Sequence, residues 1–112
     1  MSTDLFITYS DLLDRTARKV KQYAQRRFNA ENYDITVDQW LILRNLNQHN
    51  ELNQSQLAEI TEKDHPTLTR IIDLLCKKGL TERRIHPHDR RSFNIHLTEL
   101  GKHHVAEWSP KM

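Results

Sequence analysis

LNQSQLAEITEKDHPTLTRIIDLLCKKG, residues 52–79, reads as two helices with a tight turn between them. Asn53 with Gln56 three residues later has the spacing of a capping box, and Leu57, Ala58 and Ile60 follow as apolar material. This predicts a short helix that stops near Lys63. Asp64 then caps a second helix, with Pro66 in the first turn, where a missing N–H costs nothing. Leu68, Ile71, Ile72, Leu75 and Cys76 fall on one face of that helix. Gly79 suits the position after its end, and Lys77 and Lys78 suit the negative end of its dipole. A short helix, a turn and a second amphipathic helix make a helix-turn-helix candidate.

Downstream the period changes. Leu80–Ile85 and Ser92–Leu97 read as extended segments joined by residues 86–91, and Phe93, Ile95 and Leu97 alternate with Asn94 and His96. Two such strands form a hairpin, or wing, with a long charged tip. Thr98 caps a last helix from Glu99 to about Glu107.

Upstream, residues 4–28 read as one long helix. Leu5, Leu12, Leu13, Thr16, Ala17, Val20, Tyr23, Ala24 and Phe28 lie on one face, with Arg15, Arg18, Lys19, Arg26 and Arg27 on the other. Thr36 with Gln39 opens a further helix carrying Trp40, Leu41, Leu43 and Leu46. The fold class is mainly α with a small β-hairpin (α+β), a winged helix-turn-helix. One domain spans residues 1–112: helix-turn-helix about 53–79, wing about 80–97, flanking helices 4–28 and 99–108. Trp40, Tyr23, Phe28, Phe93 and Leu97 are the expected core aromatics and aliphatics.

Composition narrows the function. The 112 residues suffice for one core, and no stretch approaches the length of a membrane-spanning helix. The Met1-Ser2-Thr3-Asp4 start has no signal-peptide pattern, and a single cysteine fits a reducing cytoplasm. The net charge of +2 is unevenly spread. Residues 1–64 hold eight Lys/Arg against ten Asp/Glu, whereas residues 65–112 hold nine against five. Six of the basic residues lie between Lys77 and Arg91. A basic stripe on a nearly neutral protein is the footprint of a phosphate-binding face, although a solvated surface has the same composition.

The chain resembles the MarR family of bacterial transcriptional regulators along most of its length. The resemblance is carried by Ile35-Thr36-Val37-Asp38-Gln39-Trp40, Leu52-Asn53-Gln54-Ser55-Gln56-Leu57-Ala58 and Asp64 through Asp73 with Lys77-Lys78-Gly79-Leu80. Glu82-Arg83-Arg84, Asp89-Arg90-Arg91 and Leu97-Thr98-Glu99-Leu100-Gly101 continue it. It implies a homodimeric, sequence-specific binder of double-stranded DNA, a repressor by expectation, released by a small aromatic effector. Family members usually carry two long C-terminal helices that pair with the first helix across a two-fold interface. Here that element is cropped, so the expectation is weak dimerisation and a poorly formed effector pocket.

Site candidates follow from position. The apolar stripe leaves His65, Thr67, Thr69, Arg70, Asp73 and Lys77 on the outer surface of the second helix. A recognition helix presents its first two turns to the major groove, so Pro66, Thr67, Thr69 and Arg70 are the base-facing set. Arg70 has the planar fork for guanine O6 and N7. Thr67 and Thr69 suit a thymine methyl or a phosphate, or one of them serves helix capping. On the wing, the resemblance places Arg91 in the minor groove, oriented by Asp89. Arg90, Arg83, Arg84, Lys77 and Lys78 are phosphate-contact candidates, Arg83 being equally suited to face the protein.

Other classes fit less well. Only Gly79 and Gly101 are glycines, so there is no phosphate-cradling loop, and no nucleophile-elbow or metalloprotease motif occurs. The chain therefore does not read as an enzyme. His86 with His88, and His103 with His104, match no zinc spacing, so no metal or cofactor is implied. Cys76 reads as a small core hydrophobe. The competing reading is a winged-helix protein-interaction module without DNA readout.

Overall fold

The structure, a computed structural model, describes residues 3–86 and 88–109, except the side chains at 86 and 89–92. Its elements in chain order are α1 (Thr3–Ala30), α2 (Val37–His49), β1 (Glu51–Asn53), α3 (Gln54–Thr61), α4 (His65–Lys77), β2 (Thr81–His86), β3 (Asp89–Leu97) and α5 (Glu99–Trp108). No helix among the described residues is long and apolar enough to cross a membrane. The chain divides into two compact units, Met1–Val37 and Asp38–Met112.

In the first unit α1 runs for 28 residues. Asn32, at φ 59°, turns the chain after the helix, and Tyr33 N–H donates to Phe28 O at 2.9 Å. Gln25 then holds the outgoing segment from both sides. Its Nε2 donates to Ile35 O at 3.2 Å, and its Oε1 accepts from Val37 N–H at 3.0 Å. Phe28 and Ile35 are buried, while the apolar face from Leu5 to Tyr23 is exposed throughout. Tyr23, expected in the core, is 56% exposed. Helical periodicity identifies a face but not whether anything covers it.

The second unit builds its core from α2, α3, α4, the sheet and α5. Ile42, Leu43, Leu46, Leu57, Leu68, Ile72, Leu75 and Ile95 are fully buried. Trp40 and Trp108 meet edge to face at 6.4 Å. The sheet order is β1-β3-β2, antiparallel throughout. Strand β1 was not anticipated from the sequence; it pairs Leu52 with Ile95 and ties the start of α3 to the wing. The wing strands reach further than expected, to His86 and from Asp89, leaving residues 87–88 between them instead of six. Phe93 corrects another expectation. It pairs with Ile85 across the hairpin, and both are exposed, because this part of the ribbon extends past the core. Trp40, Phe28 and Leu97 are buried as the sequence implied.

The caps expected on α3 and α5 are present. Asn53 and Gln56 form a reciprocal capping box on α3, and Thr98 Oγ1 accepts Gly101 N–H at 3.0 Å at the start of α5. Gly79 sits at φ 76°, a conformation that side chains rarely adopt. A Cβ at Gly101 would collide with the Leu80 carbonyl. Gly101→Ala is therefore expected to cost about 1–3 kcal/mol of stability through overpacking against backbone. Gly79→Ala should cost about 1–2 kcal/mol through left-handed strain. Urea unfolding should show both as lowered midpoints at unchanged slope, with Gly79→Asn milder than Gly79→Ala.

Candidate nucleic-acid interface

Helix α4 owes its start to Asp64, whose Oδ1 accepts Thr67 N–H at 2.9 Å. The hydrogen bonding to Thr67 holds the Asp64 carboxyl below its ordinary range, with smaller help from the charges of Arg70 and His65. A carboxyl so depressed keeps capping above its unfolded-state value, and the cap is lost as pH falls through the lower folded one. Pro66 lies in the first turn. His65, Pro66, Thr67, Arg70, Asp73 and Lys77 are exposed, while Leu68, Ile72 and Leu75 are buried. The first two turns of α4 thus present Pro66, Thr67 and Arg70 to solvent on the side opposite the core.

Thr69 is placed differently from its neighbours. It is half-buried, and its Oγ1 accepts a hydrogen bond from Gln54 Nε2, the first residue of α3, at 2.5 Å. The site candidates read from the residue pattern did not include Gln54. Its position directly after a helix cap was the available signal.

The basic residues sort into two groups by what they touch. Lys77 is exposed in the last turn of α4. Arg84 is exposed and lies on Glu82, with Nη2 and Nε at 2.6 and 3.1 Å from the same carboxylate oxygen. Lys78 instead turns to the protein, its Nζ donating to the buried Gln39 Oε1 at 3.2 Å. Arg83 does the same, its Nη2 meeting Asp73 Oδ1 at 2.5 Å with the side chain only 27% exposed. The register explains this direction: Arg83 stands opposite buried Ile95, on the inner face of the sheet. The backbone of Asp89, Arg90 and Arg91 belongs to β3, but their side chains lie outside the described residues.

Cys76 is half-buried, not a plain core hydrophobe. Its Sγ lies 3.2 Å from Thr81 Oγ1 and 3.8 Å from Arg83 Nη1. On α5, His103 and His104 approach Glu107 at 3.8 and 3.6 Å, and His104 stacks on Trp108 at 4.8 Å. Among the described residues no three His, Cys, Asp or Glu side chains are grouped to hold a metal ion. In the first unit a cleft of about 290 Å³ is lined by Arg18, Lys21, Gln22 and Gln25.

Comparison with known proteins agrees with this architecture. Over 98 residues the chain is 35% identical to YhbI of Bacillus subtilis (strain 168), described as an uncharacterized HTH-type transcriptional regulator. The match takes in 86% of this chain and 63% of that protein, so the chain spans less than two thirds of that relative's length. A MepR–DNA complex from S. aureus superposes with a TM-score of 0.81 at 30% identity, covering 91% of this chain and 74% of that one. A mutant MarR from E. coli complexed with operator DNA gives 0.74 at 29%, covering 85% and 69%. Residues 35–93, which run from the entry of α2 into β3, match the MarR family itself, and the chain belongs to that family.

Proposed function

We propose that this chain is a sequence-specific, double-stranded-DNA-binding transcriptional regulator acting as a repressor. The observation that carries the reading is the exposed first half of α4. It is capped by Asp64 and shows Pro66, Thr67 and Arg70 beside the basic wing. A helix N-terminus with that face fits the major groove, where Arg70 can span guanine O6 and N7. Membership of the MarR family supports it, as do the two similar proteins whose structures hold DNA.

Within this reading the basic residues divide their work. Lys77 and Arg84 neutralise phosphates from exposed positions; an exposed pair such as Arg84–Glu82 costs about 0–1 kcal/mol to break. Arg83 and Lys78 act mainly by holding the wing and α2 against α4. Arg90 adds a phosphate contact, and Arg91, oriented by Asp89, enters the minor groove, where a narrow A·T-rich stretch concentrates negative potential. Two copies bind a near-palindromic site by covering the exposed apolar face of α1, around Phe6, Tyr9 and Leu13. A small aromatic effector releases the complex.

Binding measured by fluorescence anisotropy is expected to weaken steeply with salt. Lys77→Gln should lower the log–log slope by about 0.9 for one lost phosphate contact. Affinity indifferent to salt would favour a protein-interaction module instead. Arg70→Ala should remove about 1–3 kcal/mol of discrimination at one base pair, while Lys77→Gln weakens all duplexes alike. Asp89→Ala should reproduce much of the loss from Arg91→Ala. Sedimentation equilibrium should show a concentration-dependent dimer that Leu13→Glu abolishes; a strict monomer at every concentration would refute the α1 interface.

A further inference from the structure

The two glutamines at the start of α3 do different jobs. Gln56 Oε1 accepts Asn53 N–H at 2.9 Å and completes the capping box. Gln54 reaches instead across the turn to α4, where its Nε2 donates to Thr69 Oγ1. Both ends of that bond are held. Asn53 fixes the first turn of α3, and Leu57 and Leu68 are fully buried where the two helices pack.

The polarity of this bond matters more than its strength. Fixing a glutamine side chain costs about as much rotamer entropy as a neutral hydrogen bond returns, so the pair adds little to stability. A threonine hydroxyl has one proton and two acceptor lone pairs. With one lone pair occupied by the Gln54 amide, rotation of the hydroxyl is restricted. Its proton has no acceptor among the described residues. Thr69 is adjacent to Arg70, in the second turn of α4.

We infer that Gln54 is a positioning residue for base reading: its amide fixes the Thr69 hydroxyl as a hydrogen-bond donor toward the major groove. A donor there favours whichever base places an acceptor at that point of the groove, namely guanine N7 or O6, adenine N7 or thymine O4, over one that places the amino group of cytosine or adenine there. This deepens the proposed function and rests on it. Sequence preference at one position would thus depend on a residue of the other helix.

The test begins by selecting duplexes from a randomised library with the wild-type chain. Wild type, Arg70→Ala, Thr69→Val, Gln54→Met, Gln54→Glu and the Gln54→Met/Thr69→Val double variant are then measured against every base substitution in the selected site. Gln54→Met keeps the length of the side chain and removes the donor. Gln54→Glu offers only an acceptor and draws the Thr69 proton away from the groove. Thr69→Val and Gln54→Met should each lose roughly three- to tenfold of preference at the same base pair. The double variant should lose no more than Thr69→Val, because the effects share one hydroxyl. Gln54→Glu should lose the preference at that pair as well, and thermal midpoints should stay close to wild type. A preference altered by Thr69→Val but by neither Gln54 variant would overturn the inference and leave the DNA-binding reading intact. The same holds if only Arg70→Ala alters preference. A wild-type chain that enriches no sequence would instead overturn sequence-specific binding itself.

Discussion

The wing depends on one joint, built where α4, both wing strands and α5 converge. Gly79, with its positive φ, turns the chain out of α4. Leu80 O accepts Thr98 N–H at 3.1 Å, and Thr98 Oγ1 donates to Gly79 O at 2.6 Å while accepting Gly101 N–H. One hydroxyl therefore caps α5 and closes the end of α4 at once. Gly101, lacking a Cβ, lets α5 sit against the Leu80 carbonyl. The hairpin thus leaves and returns at a single fixed point, and its direction relative to α4 follows from the Thr98 N–H and hydroxyl bonds to the turn after α4, with the Arg83–Asp73 pair beside them.

Polar ties from three other elements then hold α4 along its length. Gln54 of α3 reaches Thr69 in the second turn, Arg83 of β2 reaches Asp73 in the middle, and Gln39 of α2 receives Lys78 at the end. Buried leucines and isoleucines set how deep the helix sits, but apolar contact is non-directional and leaves rotation about the helix axis loosely defined. Directional bonds at three heights restrict that rotation. Arg83 illustrates the cost of misreading charge as surface. Its register opposite Ile95 puts a guanidinium on the inner face, where it needs a partner, and Asp73 supplies one.

Much of this was legible in the sequence because it is local. Asn53–Gln56, Asp64–Pro66, Gly79 and Thr98 announce helix ends through short-range chemistry, and each sits where that chemistry required. The unread parts are long-range. Strand β1 is three residues long and exists through pairing with β3, more than 40 residues later in the chain. Phe93 and Tyr23 carry the right apolar pattern, yet pattern cannot say whether the facing surface is occupied. Of the candidate site, Pro66, Thr67 and Arg70 emerged on the exposed face of α4, while Thr69, Lys78 and Arg83 proved to be held by partners distant in sequence. A basic count alone would have assigned Lys78 and Arg83 to phosphates along with the exposed Lys77 and Arg84.

The two interactions required by the proposed function respond to different variables, and this separates them physically. Contact between α4 or the wing and phosphates is electrostatic and weakens as salt displaces the advantage of counterion release. Covering Leu5, Phe6, Tyr9, Leu12 and Leu13 on α1 is apolar and is little weakened by the same salt. A single half-site engages one recognition helix and a few cations, so its affinity is limited. Joining two half-sites makes the second engagement intramolecular, and the gain depends on how firmly the α1 face is covered. DNA holding two copies side by side would in turn favour that covering, since linkage is reciprocal. Under the proposed function, the exposed face of α1 and the basic wing would be linked only through the length of DNA that a pair of copies occupies.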